Sequence, residues 1–332
     1  MRATTKTRWC RLLINVIAAA SIAFALVPIV ASAQGKLTKP VRLIVPYVQG
    51  GGTDVLARML APYLAEDFGQ QVLVENRAGG GSTIGTQVVA RAAPDGYTMG
   101  MIDAAFVTNP SLVAKLPYDT LKDFEPVVFV ARTPLVLMVH TSIAATHVKE
   151  LVAIAKAKPG QLAFGSAGNG TGVHLAGEQL KLTAGIDLIH IPYKGTGQAV
   201  TEFLGGQTAM IFTIPLNARA HAATGRARPL AITSAKRSPA MADVMTFTEA
   251  GFPAIDAHTI NGFVLPAGTP PEFVQRVNAV VNRALKTPEL EKKLYELGFE
   301  SVGGTSAEFT AWLRAEIPKW SQIIKDAGVR IE

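Results

Sequence analysis

The chain has 332 residues, 48% of them hydrophobic, with 32 Lys and Arg against 25 Asp and Glu and one cysteine. That length and apolar content support a large buried core, and a single cysteine excludes a disulfide framework. Four of the basic residues (Arg2, Lys6, Arg8 and Arg11) and no acidic ones fall in the first 33 positions, so the rest carries 28 against 25, a formal +3. That is ordinary surface charge and gives no argument for nucleic acid as a partner.

Residues 1 to 33 read as a secretory signal peptide: the basic start, an apolar stretch from Leu12 to Val30, and the small-residue ending Ala31-Ser32-Ala33. A single membrane anchor is the alternative. Cys10 precedes the apolar stretch, so it is not placed like a lipoprotein cysteine. The remaining 299 residues (332 less 33) contain no cysteine and suit two domains outside the cytoplasm. No run of 18 or more apolar residues follows the signal.

Residues 41 to 47 form the first expected strand and residues 54 to 67 the first helix, with apolar positions at Val55, Leu56, Met59, Leu60 and Leu64. Between them lies the Gly-rich turn QGGGTD. Glycines let backbone approach a ligand closely, and the free N–H groups of a helix start favour an anion. The spacing matches neither a dinucleotide fingerprint nor a phosphate-binding P-loop. A second strand over 70 to 76 leads into AGGGST and a helix over 82 to 92, stopped at Pro94-Asp95-Gly96. After a short strand over 97 to 102, residues 103 to 109 read as a polar loop facing a cleft.

Strands over 124 to 133 and 135 to 140 are separated by Pro134, a candidate domain crossing because proline removes a ladder hydrogen bond. A helix over 147 to 157 then precedes two more Gly/Ser/Thr loops running into helices, FGSAGNGTG and PYKGTG. Strands over 186 to 192, 208 to 214 and 228 to 233 alternate with helices over 197 to 204 and 216 to 224, which argues a second α/β unit with a parallel-rich sheet. The return is expected over 255 to 265. Helices follow over 271 to 285, from Thr287 to 297, and from a Ser306 cap onward, where Glu308 stands two residues on rather than the three a capping box requires.

Four Gly/Ser/Thr loops at strand ends form a plausible anion clamp. Ser82, Thr83, Ser166, Thr171 and Thr196 can supplement backbone donors, and Ser82 and Thr83 also suit helix caps. Asn169 suits a left-handed turn with a ligand contact. Asp54 fits a role stabilising the first turn of its helix, and Lys194 is a candidate to attract a carboxylate. Tyr47 and Phe164 end strands in the two halves and are candidates to sandwich an apolar ligand body, with core packing as the alternative. His174 and His190 read as structural. Six scattered histidines lack metal-ligand spacing, and no serine-histidine-acid set is legible, so neither a metal, nor a cofactor, nor an enzyme activity is expected.

The segments PYVQGGGTDVLARMLA, ENRAGGGSTIGT, APDGYTM, TNPSL, LPYDTLKDFEPV, FGSAGNGTGVHLAGE, PYKGTGQAV and LPAGTP together resemble the solute-binding proteins of tripartite tricarboxylate transporters, the Bug family. The resemblance spans essentially all of the chain after residue 33. It implies a two-domain α/β periplasmic binding fold of the Venus-flytrap, type II-like kind, each domain a mixed, mostly parallel sheet flanked by helices. Residues 34 to 134 plus 256 to 332 would be domain 1 and residues 135 to 255 domain 2, joined by two crossovers. It implies a monomer that holds a small organic carboxylate between its lobes and delivers it to membrane permease subunits. Carried over by position, Gln49, Gly50, Gly51, Gly52 and Thr53 with Gly80, Gly81, Ser82 and Thr83 would line one jaw, to which the residues themselves add Tyr47 and Thr108 as candidates. Ser166, Asn169 and Gly170 with Lys194, Gly195, Thr196 and Gly197 would line the other, to which the residues themselves add Phe164 and Thr171.

Two positions depart from the family pattern. Thr213 stands where relatives often carry Asp or Asn, and His258, with Thr259, where they often carry an aromatic, so these positions are candidates for tuning the ligand. A dicarboxylate or an aromatic carboxylate is favoured, because no acidic partner for an amino group stands out. A ligand-sensing module for a membrane receptor is the alternative, and an exported α/β hydrolase a more distant one.

Overall fold

The computed structural model describes residues 37–326, and the expected signal peptide over 1–33 lies outside them. Six strands form sheet I: β1 (Val41–Val45), β2 (Val72–Asn76), β3 (Thr98–Ile102), β4 (Phe124–Pro134), β10 (His258–Pro266) and β11 (Glu300–Gly303), in the order β11-β4-β10-β3-β1-β2. Sheet II contains β5 (Val136–His140), β6 (Ala163–Ser166), β7 (Ile189–Pro192), β8 (Met210–Thr213) and β9 (Ala227–Ile232), in the order β7-β6-β8-β5-β9. Both sheets are mixed. β1 pairs parallel with β2 and β3, and β6 with β7 and β8, whereas β10, β4, β11, β5 and β9 run antiparallel to their partners.

The chain leaves sheet I at Pro134, enters sheet II at Val136, and returns between Ile232 and His258. Each sheet carries helices on its faces, giving two α/β lobes. Central strands covered on both faces are buried along most of their length: all five residues of β3 are buried, as are seven of the nine in β10, Asn261 among them.

Helix α1 (Gly52–Phe68) buries Leu56, Leu60, Leu64 and Phe68, a stripe at the helical repeat, and ends at Gly69 in the left-handed region with φ 64°. Each fully buried Leu or Phe of this kind contributes about 1.5–3 kcal/mol of transfer free energy. The other helices are α2 (Thr83–Ala90), α3 (Ala105–Leu112), α4 (Val148–Ala157), α5 (Gly172–Ala184), α6 (Thr196–Leu204), α7 (Pro215–Ala222), α8 (Pro271–Leu285), α9 (Pro288–Leu297) and α10 (Ser306–Asp326).

Two local expectations fail. Residues 103 to 109 do not form a loop: after Asp103 and Ala104 the chain enters α3, which carries Pro110 inside it. Proline cannot donate to the carbonyl four residues back. That carbonyl belongs to Phe106, and the Thr120 hydroxyl donates to it at 3.5 Å. The last helix is capped by Thr305 rather than Ser306. The Glu308 N–H donates to Thr305 Oγ1 at 3.1 Å and the Thr305 N–H to Glu308 Oε2 at 2.7 Å, a reciprocal capping box at the correct spacing. Ser306 donates instead to the Pro126 carbonyl.

Candidate functional site

The β1–α1 turn brings Gly51, Gly52 and Thr53 to the seam between the sheets. Helices α5, α6 and α7 start on the opposite wall, with Thr171 and Gly172, Thr196, and Ile214 with Asn217 at their first turns. Together with Tyr47, Asp103, Thr213, Thr259 and Asn261 they enclose about 570 Å³ of empty space, counting what opens to solvent. The first intrahelical bonds are Val55 N–H to Gly51, Leu175 to Thr171, Ala199 to Gly195 and Ala218 to Ile214. Of the N–H groups just ahead of these donors, that of His174 donates to Thr171 Oγ1 at 3.4 Å and Pro215 has none, while the others have no backbone acceptor within their helices. Four helix starts therefore present positive dipole ends to one cavity.

No lysine, arginine or histidine lines this space. Its titratable groups are Tyr47 and Asp103, joined by a hydrogen bond from the Tyr47 hydroxyl to Asp103 Oδ2 at 2.7 Å. Burial pushes the Asp103 carboxyl up to about 6, against the hydrogen bonds from Tyr47 and the Ala105 N–H that favour its charged form. Burial, and then the Asp103 charge, raise the Tyr47 phenol well above its ordinary value. Thr213 Oγ1 and Asn261 Oδ1 are buried there without a hydrogen-bond partner.

A second space adjoins the first across Tyr47 and Ala167, which line both. Gly81, Ser82, Thr83, Asn169 and Lys194 border it. Here the lobes touch: a Cβ built on Gly81 would stand 2.8 Å from the Asn169 carbonyl oxygen. Ser82 is the only non-glycine residue at positive φ among the described residues, at 77°. It occupies the cap position of α2 without a side-chain capping bond, and Thr83 Oγ1 donates back to the Gly80 carbonyl at 2.8 Å. Left-handed backbone in the FGSAGNGTG loop falls on Gly168 and Gly170, not on Asn169 between them.

The structure therefore divides the expected site residues. Tyr47, Gly51, Gly52, Thr53, Thr171, Thr196 and Thr213 meet at the first cavity. Gln49 and Gly50 are exposed outside it, with the Gly50 N–H donating to Asp54 Oδ2 at 3.0 Å. Asp54 also accepts from Arg58 and Asn76, so its carboxylate pins the turn. Thr108 is buried and donates across the seam to the Gly170 carbonyl at 2.7 Å. Gly195 packs against Val48, where a Cβ would stand 2.6 Å from Cγ2.

Phe164 is fully buried and stacks on His190, with ring centroids 4.9 Å apart, so it packs the core of sheet II and does not face the ligand space. Ser166 is equally buried, and its hydroxyl is taken up by Gly168 and by His190 Nε2 at 2.7 Å. His258 lies elsewhere, paired with Asp256 at 3.2 Å and beside Arg132. Thr259, expected beside His258 to tune the ligand, does line the cavity, whereas Asp103, Asn217 and Asn261 were missed as lining residues. Asp103 carried a legible signal: an acid directly after the apolar run over 99–102, at the carboxyl end where α/β sheets bind ligands.

Among the described residues no group of three His, Cys, Asp or Glu could hold a metal ion, and no helix is long and apolar enough to cross a membrane.

The profile of the TctC family, described as "Tripartite tricarboxylate transporter family receptor", matches residues 56–329. Protein BugT of Bordetella pertussis is 34% identical over 296 residues, covering 89% of this chain and 91% of its own. A solved periplasmic transporter superimposes with a TM-score of 0.84 at 35% identity, over 89% of this chain and 99% of that one. R. palustris Rpa4515, solved with adipate, superimposes with a TM-score of 0.85 at 33% identity, over 89% and 99%. Family and fold are those of non-catalytic binding proteins, which take a small-molecule ligand and work with a cognate membrane permease. The chain belongs to the tripartite tricarboxylate transporter receptor family and is a periplasmic solute-binding protein.

Proposed function

We propose that the protein captures a small organic carboxylate, a dicarboxylate or an aromatic carboxylate, in the cavity between its sheets and hands it to a tripartite-type permease. The observation that carries this reading is the convergence of four helix N-termini on a space with no cationic side chain. Backbone donors and the Thr53, Thr171, Thr196 and Thr213 hydroxyls satisfy a carboxylate without a guanidinium. The adipate held by Rpa4515 is a ligand of that class.

Residues 34 to 134 with 256 to 332 form one lobe in this reading and residues 135 to 255 the other. Each presents half of the site, and the solute bridges them, shifting a monomer from open to closed. The test is a thermal-shift screen over C4 to C6 dicarboxylates, citrate, benzoate, nicotinate and amino acids. A ligand at a hundred times its Kd stabilises by about 2.7 kcal/mol, which such a scan detects. Replacing both Gly51 and Gly52 by valine puts methyl groups against Thr196 and Ile214, whose nearest atoms stand 3.9 and 3.1 Å from the respective Cβ positions. Loss of the ligand-induced shift with the far-ultraviolet spectrum intact is expected. A screen in which no carboxylate stabilises the wild type would overturn the reading.

A further inference from the structure

All but one of the groups lining the cavity are neutral at physiological pH. Asp103 is 5% exposed at the end of β3, and the groups bonded to its carboxylate are donors: the Tyr47 hydroxyl on Oδ2 at 2.7 Å and the Ala105 N–H on Oδ1 at 3.1 Å. Two donors favour the ionised form, and each oxygen retains a lone pair for a further donor. The lining supplies no counter-ion. A buried carboxylate without one is costly, and beside a purely anionic solute it repels.

A second observation stands next to it. Asn261, 1% exposed, donates its amide N–H to Thr53 Oγ1 at 2.9 Å and to the Ile102 carbonyl at 3.4 Å, while its Oδ1 has no partner. Turning the amide over would set Oδ1 against the Ile102 carbonyl, acceptor against acceptor, so the free atom is the oxygen. Strands β3 and β10 are antiparallel with Ile102 opposite Gly262. The same register carried one residue further sets Asn261 beside Asp103, on one face of the sheet. Carboxylate and free amide oxygen thus form a corner made of acceptors, on the wall that faces the helix starts of sheet II.

We infer that this corner seats a protonated nitrogen of the solute, so that the ligand is an aminocarboxylate whose ammonium rests on Asp103 and Asn261 while its carboxylate rests on the helix N-termini. The inference rests on the carboxylate reading above and replaces its amine-free dicarboxylate or aromatic acid with a carboxylate that bears an amine. An ammonium carries three N–H donors, which match the two Asp103 oxygens and Asn261 Oδ1. Three positive helix ends on the sheet II wall and a carboxylate on the other complement a zwitterion and disfavour a dianion lacking the amine. The fourth helix start, that of α1, lies beside the corner at Thr53. The titratable groups facing Asp103 are Tyr47 from the β1–α1 turn and Tyr118 from the segment before β4, both raised by burial and uncharged at neutral pH. The ionisation of the corner is therefore that of Asp103 itself, which burial places at about 6.

Titration calorimetry with matched pairs tests this: aspartate against succinate, glutamate against glutarate, leucine against isovalerate, at neutral pH and again below pH 6. In at least one pair the amine-bearing member is expected to bind roughly tenfold or more tighter at neutral pH, with the advantage shrinking in acid, as for a buried charge pair losing one charge. Asp103→Asn should bring that pair to near-equal affinities. Wild-type protein that binds the amine-free member of every pair as well or better overturns the inference while leaving the carboxylate reading intact, and so does an Asp103→Asn protein that keeps the preference. Binding of no member of any pair overturns the inference, and the carboxylate reading falls with it only if citrate, adipate, benzoate and nicotinate also fail to stabilise the protein in the thermal-shift screen. The wild-type comparison stands whether or not the variant folds.

Discussion

Thr233 Oγ1 donates to the Ala257 carbonyl at 2.5 Å, joining the two segments by which the chain returns from sheet II to sheet I. The same oxygen accepts from the Leu135 N–H at 2.8 Å, and the Thr233 N–H donates to the Leu135 carbonyl at 2.9 Å. One hydroxyl thereby ties the outgoing crossing, just after Pro134, to the returning one.

Thr233→Val keeps the shape but leaves a buried N–H and a buried carbonyl without that partner. A loss of about 1–3 kcal/mol is expected, measured as a lower urea midpoint with an unchanged slope. Thr233→Ser, which keeps the hydroxyl, should recover most of it. A valine variant as stable as the wild type would show that water replaces the hydroxyl at the crossings.

The Thr108 hydroxyl makes its bond to the Gly170 carbonyl across the seam, so an open form would lack it. Thr108→Val should weaken solute binding by about 1 kcal/mol, severalfold in Kd, with little change in the melting temperature of ligand-free protein. Equal loss of stability with and without solute, at unchanged affinity, would make the bond a fixed part of the fold.

Asp103 carries a distinct pH signature. Its folded carboxyl, near 6, binds a proton more tightly than the ordinary value of 3.8. The native state is therefore favoured below about pH 4 and loses that advantage as pH rises through 6. Asp103→Asn should accordingly stabilise ligand-free protein at neutral pH, relative to its effect at pH 4, by about 2–3 kcal/mol. A stability difference between variant and wild type that does not change with pH would contradict the burial-driven shift.

His174 and His190 act with the opposite sign. Their rings stack with centroids 3.9 Å apart, and burial lowers His174 to about 3, with repulsion from His190 and Lys181 adding to it. Burial, and then Lys181, lower His190 to about 4. Both rings are neutral in the folded protein, and their contribution is complete above the unfolded value of 6.5 and lost as pH falls toward 4. His190→Gln should flatten the acid limb of the stability curve by about 3 kcal/mol over that interval, whatever its offset at neutral pH. Denaturant titrations at a series of pH values read the slope directly.

Much of the fold is legible before any coordinates. Apolar runs mark β1, β3 and β10, Gly and Pro punctuate the elements, and Pro134 marks the crossing. The failures are local competitions. Thr305 sits at the correct capping-box spacing from Glu308, one residue before the serine that drew the reading. In α3, a threonine ten positions beyond Pro110 supplies a donor that no local pattern contains.

By itself the sequence determined the recurring strand, glycine loop and helix start, and with them the family, because these are properties of short segments. Only the tertiary structure decided which loops share a cavity. Gly51, Gly52 and Thr53 face the starts of α5, α6 and α7, while AGGGST meets FGSAGNGTG at an adjoining contact. Period-two alternation could not say whether Phe164 faced ligand or core, because both faces of its sheet are covered by helices. Asp103 and Asn261 stand far apart in the chain and come together through the antiparallel register of β3 with β10. That pairing places a carboxylate and an unpartnered amide oxygen side by side on one wall of the cavity, a juxtaposition no short segment contains.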